Sequence, residues 1–258
     1  MRILAVAAAL TFVLAGCGHQ ARSAPVTDHS LANTGSNVIA APVNPDPRVG
    51  AIFLSSGDLH ACTGSVLHST TGNLVLTAAH CLSAGGPVRF VPGFARAAPP
   101  DDVWTVDARY LDPRWMANKD PSADFAIARV GRPAGGSIEA VVGSALSLGS
   151  TPARGTGVIV VAYPAGVGGL PVGCQTTIGL DAAGFPELPC AGLVDGTSGA
   201  PWISGSTVTG VIGGPHGGGC AENLSYSSPF DQHVSELLAR AEAGSTADAP
   251  PSPYDDQC

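Results

Sequence analysis

Short apolar and β-branched runs, separated by glycine, proline and polar residues, recur along the chain from about residue 47. Runs of this length, bounded by turn-forming residues, are typical of β-strands. The predicted strands cover residues 51–54, 62–67, 74–77, 103–111, 125–130, 158–163, 175–178, 201–203 and 208–212. So many short strands predict an all-β fold, built as barrels or as a sandwich.

One stretch near the C-terminal end has helical periodicity. Its apolar residues form a single stripe, which consists of Phe230, Val234, Leu237, Leu238 and Ala241. Ser228 can cap this helix, and Pro229 suits its first position. The pattern predicts a helix over 229–243, followed by a polar, proline-rich tail over 244–258 that the terminal Cys258 is expected to pin.

The N-terminal segment, 1–17, has the features of an export signal. Arg2 supplies a positive charge, and the apolar run that follows, 3–14, is too short to span a membrane. The sequence Leu-Ala-Gly-Cys that ends at Cys17 resembles a bacterial lipobox, after which Cys17 would carry a lipid. An ordinary signal cut nearby is the alternative. Residues 18–45 are small, polar and dotted with proline, which predicts a flexible linker.

Composition limits the classes of function. The chain has 258 residues with 34 glycines and 22 prolines, which suits one large all-β unit or two small domains. The net charge is −8, and Lys119 is the single lysine, so the chain lacks the basic surface of a nucleic-acid-binding protein. We therefore expect no nucleic-acid partner.

Seven cysteines are present: Cys17, Cys62, Cys81, Cys174, Cys190, Cys220 and Cys258. If Cys17 is acylated, six remain, an even number that suits disulfides in an oxidising compartment. A zinc site would need cysteine and histidine clustered at short spacing, and we expect no metal.

Three short motifs contain candidate catalytic side chains. Leu-Thr-Ala-Ala-His-Cys places His80 at the end of a strand, and Ser-Ala-Asp-Phe-Ala-Ile places Asp124 just before one. Asp-Gly-Thr-Ser-Gly-Ala-Pro surrounds Ser198 with glycines, which let backbone N–H groups approach a ligand. Acyl transfer needs a nucleophile, a base and an acid that orients the base, and these three residues supply one of each.

Together the motifs resemble those of the trypsin-like, chymotrypsin-fold serine peptidases, which carry T-A-A-H-C, D-[IF]-A and G-[DT]-S-G-[GA]-P in this order. The resemblance extends from about Val49 to about Arg240 and is closest to secreted actinobacterial members. It implies a peptidase domain over 46–243 with two antiparallel six-stranded β-barrels, at about 46–140 and 141–228, and an active site between them.

The resemblance also implies the role of each residue. Ser198 would attack the scissile carbonyl, His80 would take up and return the proton, and Asp124 would orient His80. The N–H groups of Gly196 and Ser198 would form the oxyanion hole. We expect a protein or peptide substrate, no cofactor, and a monomer whose membrane contact is limited to the lipid anchor.

Cys62 and Cys81 match the bridge that in this family clamps the turn bearing the catalytic histidine. We pair Cys174 with Cys190, which leaves Cys220 with Cys258. The competing pairing joins Cys190 to Cys220, and the sequence leaves this choice open.

Thr197 stands where many family members have an aspartate that receives a new N-terminal ammonium after an activating cut. Threonine cannot form that ion pair. Although Arg48-Val49-Gly50 resembles an activation site, we expect no requirement for a free amine at Val49.

The specificity residue of the family lies six positions before the nucleophile, which is Gly192 here. Gly213 and Gly214 would form a pocket wall with little side-chain bulk. We therefore expect a neutral pocket for uncharged P1 residues. His216 near this wall leaves a preference for acidic residues open, because a protonated imidazole can meet a carboxylate.

Two other classes of protein fit the sequence less well. An α/β-hydrolase would need the order Ser, acid, His and a further glycine in its nucleophile turn, which the chain lacks. A non-catalytic, surface-anchored binding protein on a peptidase fold would show a lost triad residue, and none is lost. The remaining candidates were interpreted as loop or surface residues: His60, His68, His216, His233, Asp112 and Asp120.

Overall fold

A computed structural model describes residues 38–83 and 85–254. The predictions that concern the export signal, the lipid on Cys17 and the pairing of Cys258 lie outside the described residues. Of the helices in the described ranges, none is both long enough and apolar enough to cross a membrane.

Most of the regular structure is β-sheet, as the short apolar runs predicted. The strands are β1 Ala41–Pro42, β2 Val49–Phe53, β3 Leu59–Leu67, β4 Leu74–Thr77, β5 Arg89–Pro92, β6 Trp104–Leu111, β7 Ala126–Gly131, β8 Ser147–Leu148, β9 Gly157–Ala162, β10 Gly166–Val167, β11 Val172–Thr177, β12 Gly179–Leu180, β13 Pro186–Pro189, β14 Pro201–Ser204, β15 Thr207–Val211 and β16 Leu224–Tyr226.

Six strands of the N-terminal half close into a barrel. The order is β3-β2-β5-β6-β7-β4, and the ring closes because β4 pairs with both β7 and β3. The short strand β10 pairs with the start of β3, at Leu59 and His60. Closure leaves no free edge within the ring, which protects these apolar strands from pairing with other chains.

The C-terminal half forms two sheets. Six strands pair in the order β1-β11-β9-β14-β15-β8, and three more in the order β12-β13-β16. The predicted all-β, chymotrypsin-type fold with a C-terminal helix is confirmed. The difference from the expectation is that, in the described part of the chain, hydrogen bonding closes one six-stranded barrel, whereas the second set of strands is divided between two sheets.

Three α-helices are present in the described residues: α1 Pro113–Asn118, α2 Ile138–Val142 and α3 Gln232–Glu242. The predicted helix corresponds to α3, which begins three residues later than expected because the side chain of Asp231 accepts a hydrogen bond from the N–H of His233 at 2.8 Å and caps it. Ser228, the predicted cap, lies buried beside Asp124 instead. The stripe of α3 packs on a buried cluster that also contains residues of both large sheets.

The folded domain begins earlier than the predicted boundary at residue 46. Within the predicted linker, β1 pairs with β11, and Ile39 forms a bridge with Ala191. The N–H of Ala40 donates to the carbonyl of Ala191 at 2.8 Å. Backbone pairing of this kind needs no apolar side chains, so the composition of 38–45 did not indicate it.

Candidate active site

His80 lies where the barrel strand β4 has just ended. Two fully buried alanines follow β4, and the chain then turns through a 3-10 segment, His80–Leu82. A disulfide joins Cys81 to Cys62 of β3, with the two Cα atoms 6.1 Å apart. The strand, the buried alanines and the disulfide fix the backbone of His80, whose side chain is 15% exposed.

Asp124 precedes the strand that pairs with β4. In this antiparallel register Thr77 lies opposite Ala126, so the chain that leaves β4 and the chain that enters β7 are neighbours. This pairing brings His80 next to Asp124 although they are far apart in sequence. The N–H of Asp124 donates to Ser228 Oγ at 2.9 Å, which holds this segment in place.

The carboxylate of Asp124 has a 0% exposed side chain and accepts three hydrogen bonds. Oδ1 accepts from the backbone N–H of His80 at 3.0 Å. Oδ2 accepts from His80 Nδ1 at 2.8 Å and from the N–H of Gly214 at 2.9 Å. Because an ionised carboxylate can only accept, Nδ1 of His80 carries the hydrogen and Nε2 is left as the basic nitrogen.

Ser198 lies in a tight turn that requires its glycines. Gly196 and Gly199 both have left-handed backbones, with φ of 90° and 81°. A Cβ on Gly196 would lie 2.1 Å from the backbone nitrogen of Ala165, and a Cβ on Gly199 would lie 2.2 Å from the carbonyl oxygen of Thr63. A side chain at either position would therefore break the turn.

The backbone of this turn is tied to the first barrel through Thr63 of β3. The N–H of Thr63 donates to the carbonyl of Ser198 at 2.8 Å, and Thr63 Oγ1 donates to the carbonyl of Gly196 at 3.0 Å. Cys81 Sγ lies 3.7 Å from the same carbonyl oxygen of Ser198. The structure thus brings the turn of His80 beside the turn of Ser198.

Two N–H groups of the serine turn have no acceptor among the described residues. The N–H of Thr197 donates to the carbonyl of Val194 at 3.1 Å, and that of Gly199 to Ile212 at 2.7 Å. Within the described ranges, no hydrogen bond from the N–H of Gly196 or of Ser198 is formed. These are the two donors that the sequence assigned to an oxyanion hole.

A cavity of about 510 Å³ opens beside Ser198. Apolar side chains and glycines form much of its wall, together with a few polar groups; the lining includes Leu193, Val194, Asp195, Ile212, His216, Gly217, Gly218, Gly219, Glu222 and Ser225. The sequence predicted a pocket here but named other residues for it.

The three predicted pocket glycines have the following contacts in the structure. Gly192 is exposed and lies near Ala40, and the N–H of Gly214 binds Asp124. A Cβ on Gly213 would lie 2.9 Å from the carbonyl oxygen of Asp124, so this glycine makes room for the acid. The cavity lining includes neighbours of these positions in the chain, among them Leu193, Ile212 and His216.

The histidines that the sequence analysis set aside have different environments. The interpretation of His60 as a loop or surface residue was wrong, because it lies in β3 and is 2% exposed. Its Nε2 is 2.8 Å from the carbonyl of Gly168, and its ring packs among aromatic rings that β3 faces. His68 pairs with Glu139 on the surface. His216 has a left-handed backbone, with φ of 51°, and reaches the cavity beside Ser198.

Asp112 and Asp120 are local structural residues. Asp112 caps α1 by accepting from the N–H of Arg114 at 2.8 Å, and it is buried, contrary to the interpretation as a surface residue. Burial raises the pKa of Asp112, but the hydrogen bonds and the charge of Arg114 outweigh it, so that the pKa lies below its usual 3.8. Asp120 accepts from the N–H of Ser122 at 2.9 Å.

The remaining cysteines brace the second half. A disulfide joins Cys174 of β11 to Cys190, which precedes the serine turn. Cys220 is also disulfide-bonded, and its predicted partner Cys258 lies outside the described residues. The sulfurs of Cys62 and Cys81 lie within 4.8 Å of a ring nitrogen of His80, but they are bonded to each other and so are not available as thiolate ligands.

The fold and the site together define a chymotrypsin-type arrangement of two β units with the histidine and acid on one and the serine on the other. The sequence pattern of the trypsin family matches residues 38–235. The chain belongs to the trypsin family. No sequence among curated proteins matches it significantly.

Several solved structures share the fold. The protease Anisep from Arthrobacter nicotinovorans aligns with a TM-score of 0.68 at 26% identity, over 80% of this chain and 100% of Anisep. The thermostable serine protease AL20 from an extremophilic microorganism aligns at 0.65 and 23% identity, over 76% and 97% of the two chains. Human heparin binding protein aligns at 0.58 and 18% identity, over 80% and 95%. The fold is therefore shared with serine proteases and with a binding protein.

Proposed function

We propose that this protein is a serine endopeptidase that cleaves peptide bonds through an acyl-enzyme, with Ser198, His80 and Asp124 as its triad. The observation that carries the proposal is the buried carboxylate of Asp124, which accepts from Nδ1 of His80 at 2.8 Å and from two backbone N–H groups. A fully buried acid whose hydrogen bonds fix the tautomer of a partly exposed imidazole is what general-base catalysis requires.

The reaction follows from this arrangement. As Ser198 Oγ bonds to the substrate carbonyl carbon, its proton passes to Nε2 of His80. The imidazolium formed is stabilised by Asp124 and then gives the proton to the leaving amine as the C–N bond breaks. Water then attacks the acyl-enzyme: it loses a proton to His80 as its oxygen bonds to the acyl carbon. The bond between that carbon and Ser198 Oγ breaks, the proton returns from His80 to Ser198 Oγ, and the carboxylic acid product leaves.

The developing oxyanion would be held by the N–H groups of Gly196 and Ser198. Both lie in the serine turn, and neither donates to another group in the described part of the chain. One such donor is typically worth about 3–4 kcal/mol of transition-state stabilisation.

For the P1 residue we propose an uncharged side chain. Leu193, Ile212 and the glycines 217–219 offer an apolar surface in the cavity beside Ser198. Asp195 and Glu222 also line it and would repel an acidic side chain, which weighs against the preference that His216 alone suggested. A P1-varied peptide library tests this, and dominant cleavage after arginine or glutamate would contradict it.

We further propose that the protein is exported and held at the cell surface through a lipid on Cys17, as a monomer with no nucleic-acid partner. The disulfides suit an oxidising compartment. The resemblance to secreted actinobacterial peptidases is supported in part by the alignment with the Arthrobacter protease.

The second candidate is a non-catalytic, surface-anchored binding protein. The alignment with human heparin binding protein favours it, since that protein shares the fold and its name describes a binding function. Against this candidate stand the three triad residue types and the tautomer-fixing hydrogen bonds of His80.

Labelling with a serine-directed fluorophosphonate separates the two candidates. We expect the full chain to be labelled, Ser198→Ala to abolish labelling, and Ser206→Ala, which alters an exposed serine between β14 and β15, to leave it unchanged. An unlabelled wild-type protein with the correct fold would favour the binding protein.

A further inference from the structure

The C-terminal tail returns from α3 to the active site. The N–H of Asp248 donates to the carbonyl of Arg109 at 2.9 Å, and Asp248 Oδ2 accepts from the N–H of Leu111 at 2.8 Å and pairs with Arg240. Pro251 is buried a few residues later. These contacts hold the tail against the end of β6, from which α1 follows.

From this anchor the tail places Tyr254 on the triad histidine. The ring of Tyr254 stacks on the ring of His80, with centroids 5.7 Å apart and planes 29° apart. It also contacts Trp115 of α1, which is fully buried, at 5.0 Å between centroids. The ammonium of Lys119 lies over the ring of Trp115, 5.6 Å from its centroid. Tyr254 therefore packs against the buried Trp115 and against the imidazole of His80.

We propose that Tyr254 is a positioning residue of the active site, whose ring holds the imidazole of His80 in place and stabilises its protonated form. The inference rests on the proposed function, because a positively charged His80 is the intermediate state of the proposed proton transfer.

The physical reason is the negative potential above an aromatic face. A cation whose centre lies within about 6 Å of a ring centroid is attracted by this potential, and the effect at a partly exposed site is about two- to fivefold in an equilibrium constant. The separation of 5.7 Å lies inside this range. Stabilisation of the imidazolium should appear twice, in the protonation equilibrium of the free enzyme and in the transition state for proton transfer.

Tyr254 also lines a groove on the surface near the cavity beside Ser198. With Pro253, Pro215, Phe185 and other residues it lines a groove of about 590 Å³. His216 lines both this groove and the cavity beside Ser198, so the two are neighbours. The ring therefore lies both against His80 and in a groove that borders the cavity beside Ser198.

Several charged and titratable groups of the described residues lie around this imidazole. Asp124 hydrogen-bonds it from one side, and the Tyr254 phenol stacks on it. Lys119, Asp181 and His216 line the groove beyond Tyr254. A change of Tyr254 to phenylalanine keeps the aromatic face and removes only the hydroxyl.

The test compares the full chain with Tyr254→Ala, Tyr254→Phe and the control Ser252→Ala, which alters an exposed residue of the same tail. Values of kcat and KM are measured from about pH 5 to pH 10 with one fluorogenic peptide that the wild type cleaves. Thermal unfolding is recorded for every variant, and the Nδ1 proton of His80 is followed by NMR.

We expect Tyr254→Ala to lower kcat/KM by about two- to fivefold and to move the low-pH limb of its profile to lower pH by about 0.3–0.7 unit. The limb moves to lower pH because the imidazolium of His80 loses its stabilisation, which lowers the pKa of the imidazole. Tyr254→Phe should restore both values, Ser252→Ala should match the wild type, and the NMR signal should shift in Tyr254→Ala alone.

Three results would overturn the inference while the proposed function stands. Tyr254→Ala could equal the wild type, it could be faster because the ring obstructs substrate, or it could lose rate with an unchanged low-pH limb, which would indicate packing alone. A wild type that neither cleaves peptide nor reacts with fluorophosphonate would instead refute the proposed function, and the inference with it.

Discussion

Asp124→Asn tests the arrangement on which the proposed function depends. The change is isosteric but replaces one acceptor oxygen with an NH2 group. If the amide oxygen takes the place of Oδ2, the NH2 group meets the N–H of His80; if it takes the place of Oδ1, the NH2 group meets Nδ1 of His80 and the N–H of Gly214. In the second orientation His80 must adopt the other tautomer, which has no basic nitrogen for Ser198.

The magnitude follows from the burial of the pair. In the transition state His80 is positively charged beside a carboxylate with no exposed surface. Loss of one partner of such a buried pair costs about 3–5 kcal/mol. At about 1.4 kcal/mol per factor of ten, this corresponds to a loss of roughly 10² to 10⁴ in kcat.

The assay measures kcat and KM on a peptide substrate, and the rate of fluorophosphonate labelling. Asp120→Asn is the matched control, because Asp120 lies four residues away and accepts from Ser122. A correctly folded Asp124→Asn variant that keeps more than about a tenth of the wild-type kcat would refute the reasoning, since the expected loss is at least roughly a hundredfold.

Three further predictions concern parts of the chain around the site. Gly199→Ala should lower the free energy of unfolding by about 2–5 kcal/mol, because its Cβ would meet the Thr63 carbonyl and the Thr77 hydroxyl at 2.2 Å on a left-handed backbone. Gly205 also has a left-handed backbone but has open space around it, so Gly205→Ala should lower the free energy of unfolding by only about 1–2 kcal/mol. Urea titration measures both variants, and equal losses would contradict the prediction. Arg48→Gln should keep full activity, whereas a large rise in wild-type activity after cleavage at Arg48 would show that a free amine at Val49 is needed. Burial raises the pKa of Asp46, but the hydrogen bonds from Arg48 outweigh it and lower the pKa below 3.8. The wild type should therefore exceed Arg48→Gln in stability by about 1 kcal/mol or less near neutral pH, and the difference should vanish as the pH falls through the lowered pKa; a difference that persists in acid would be inconsistent.

The apolar strands were predictable because each shows its character over a few consecutive residues. The runs 74–77, 158–163 and 208–212 correspond to β4, β9 and β15, in which the valine and leucine side chains are buried. The strands β1, β10 and β12 were missed, because they consist of two residues each, include alanine, proline or glycine, and pair through the backbone alone.

The candidate site divides in the same way. The motifs around His80, Asp124 and Ser198 indicated which side chains to examine, because each motif is contiguous. The lining of the cavity was only partly predicted, since Gly213 and Gly214 serve Asp124 rather than the pocket. Tyr254 was missed because its position depends on how a tail more than a hundred residues after α1 is anchored at Asp248.

The amino-acid sequence by itself determined the β-rich class, the C-terminal helix and the three residue types on which the chemistry is proposed to depend. These are carried by local patterns, in which a few neighbouring side chains suffice. The tertiary structure alone decided which hydrogen bonds Asp124 accepts, which residues face Ser198 and where the tail returns. Those features depend on strand register and loop closure between distant parts of the chain, and the free energy of such contacts is set by packing that no short segment contains.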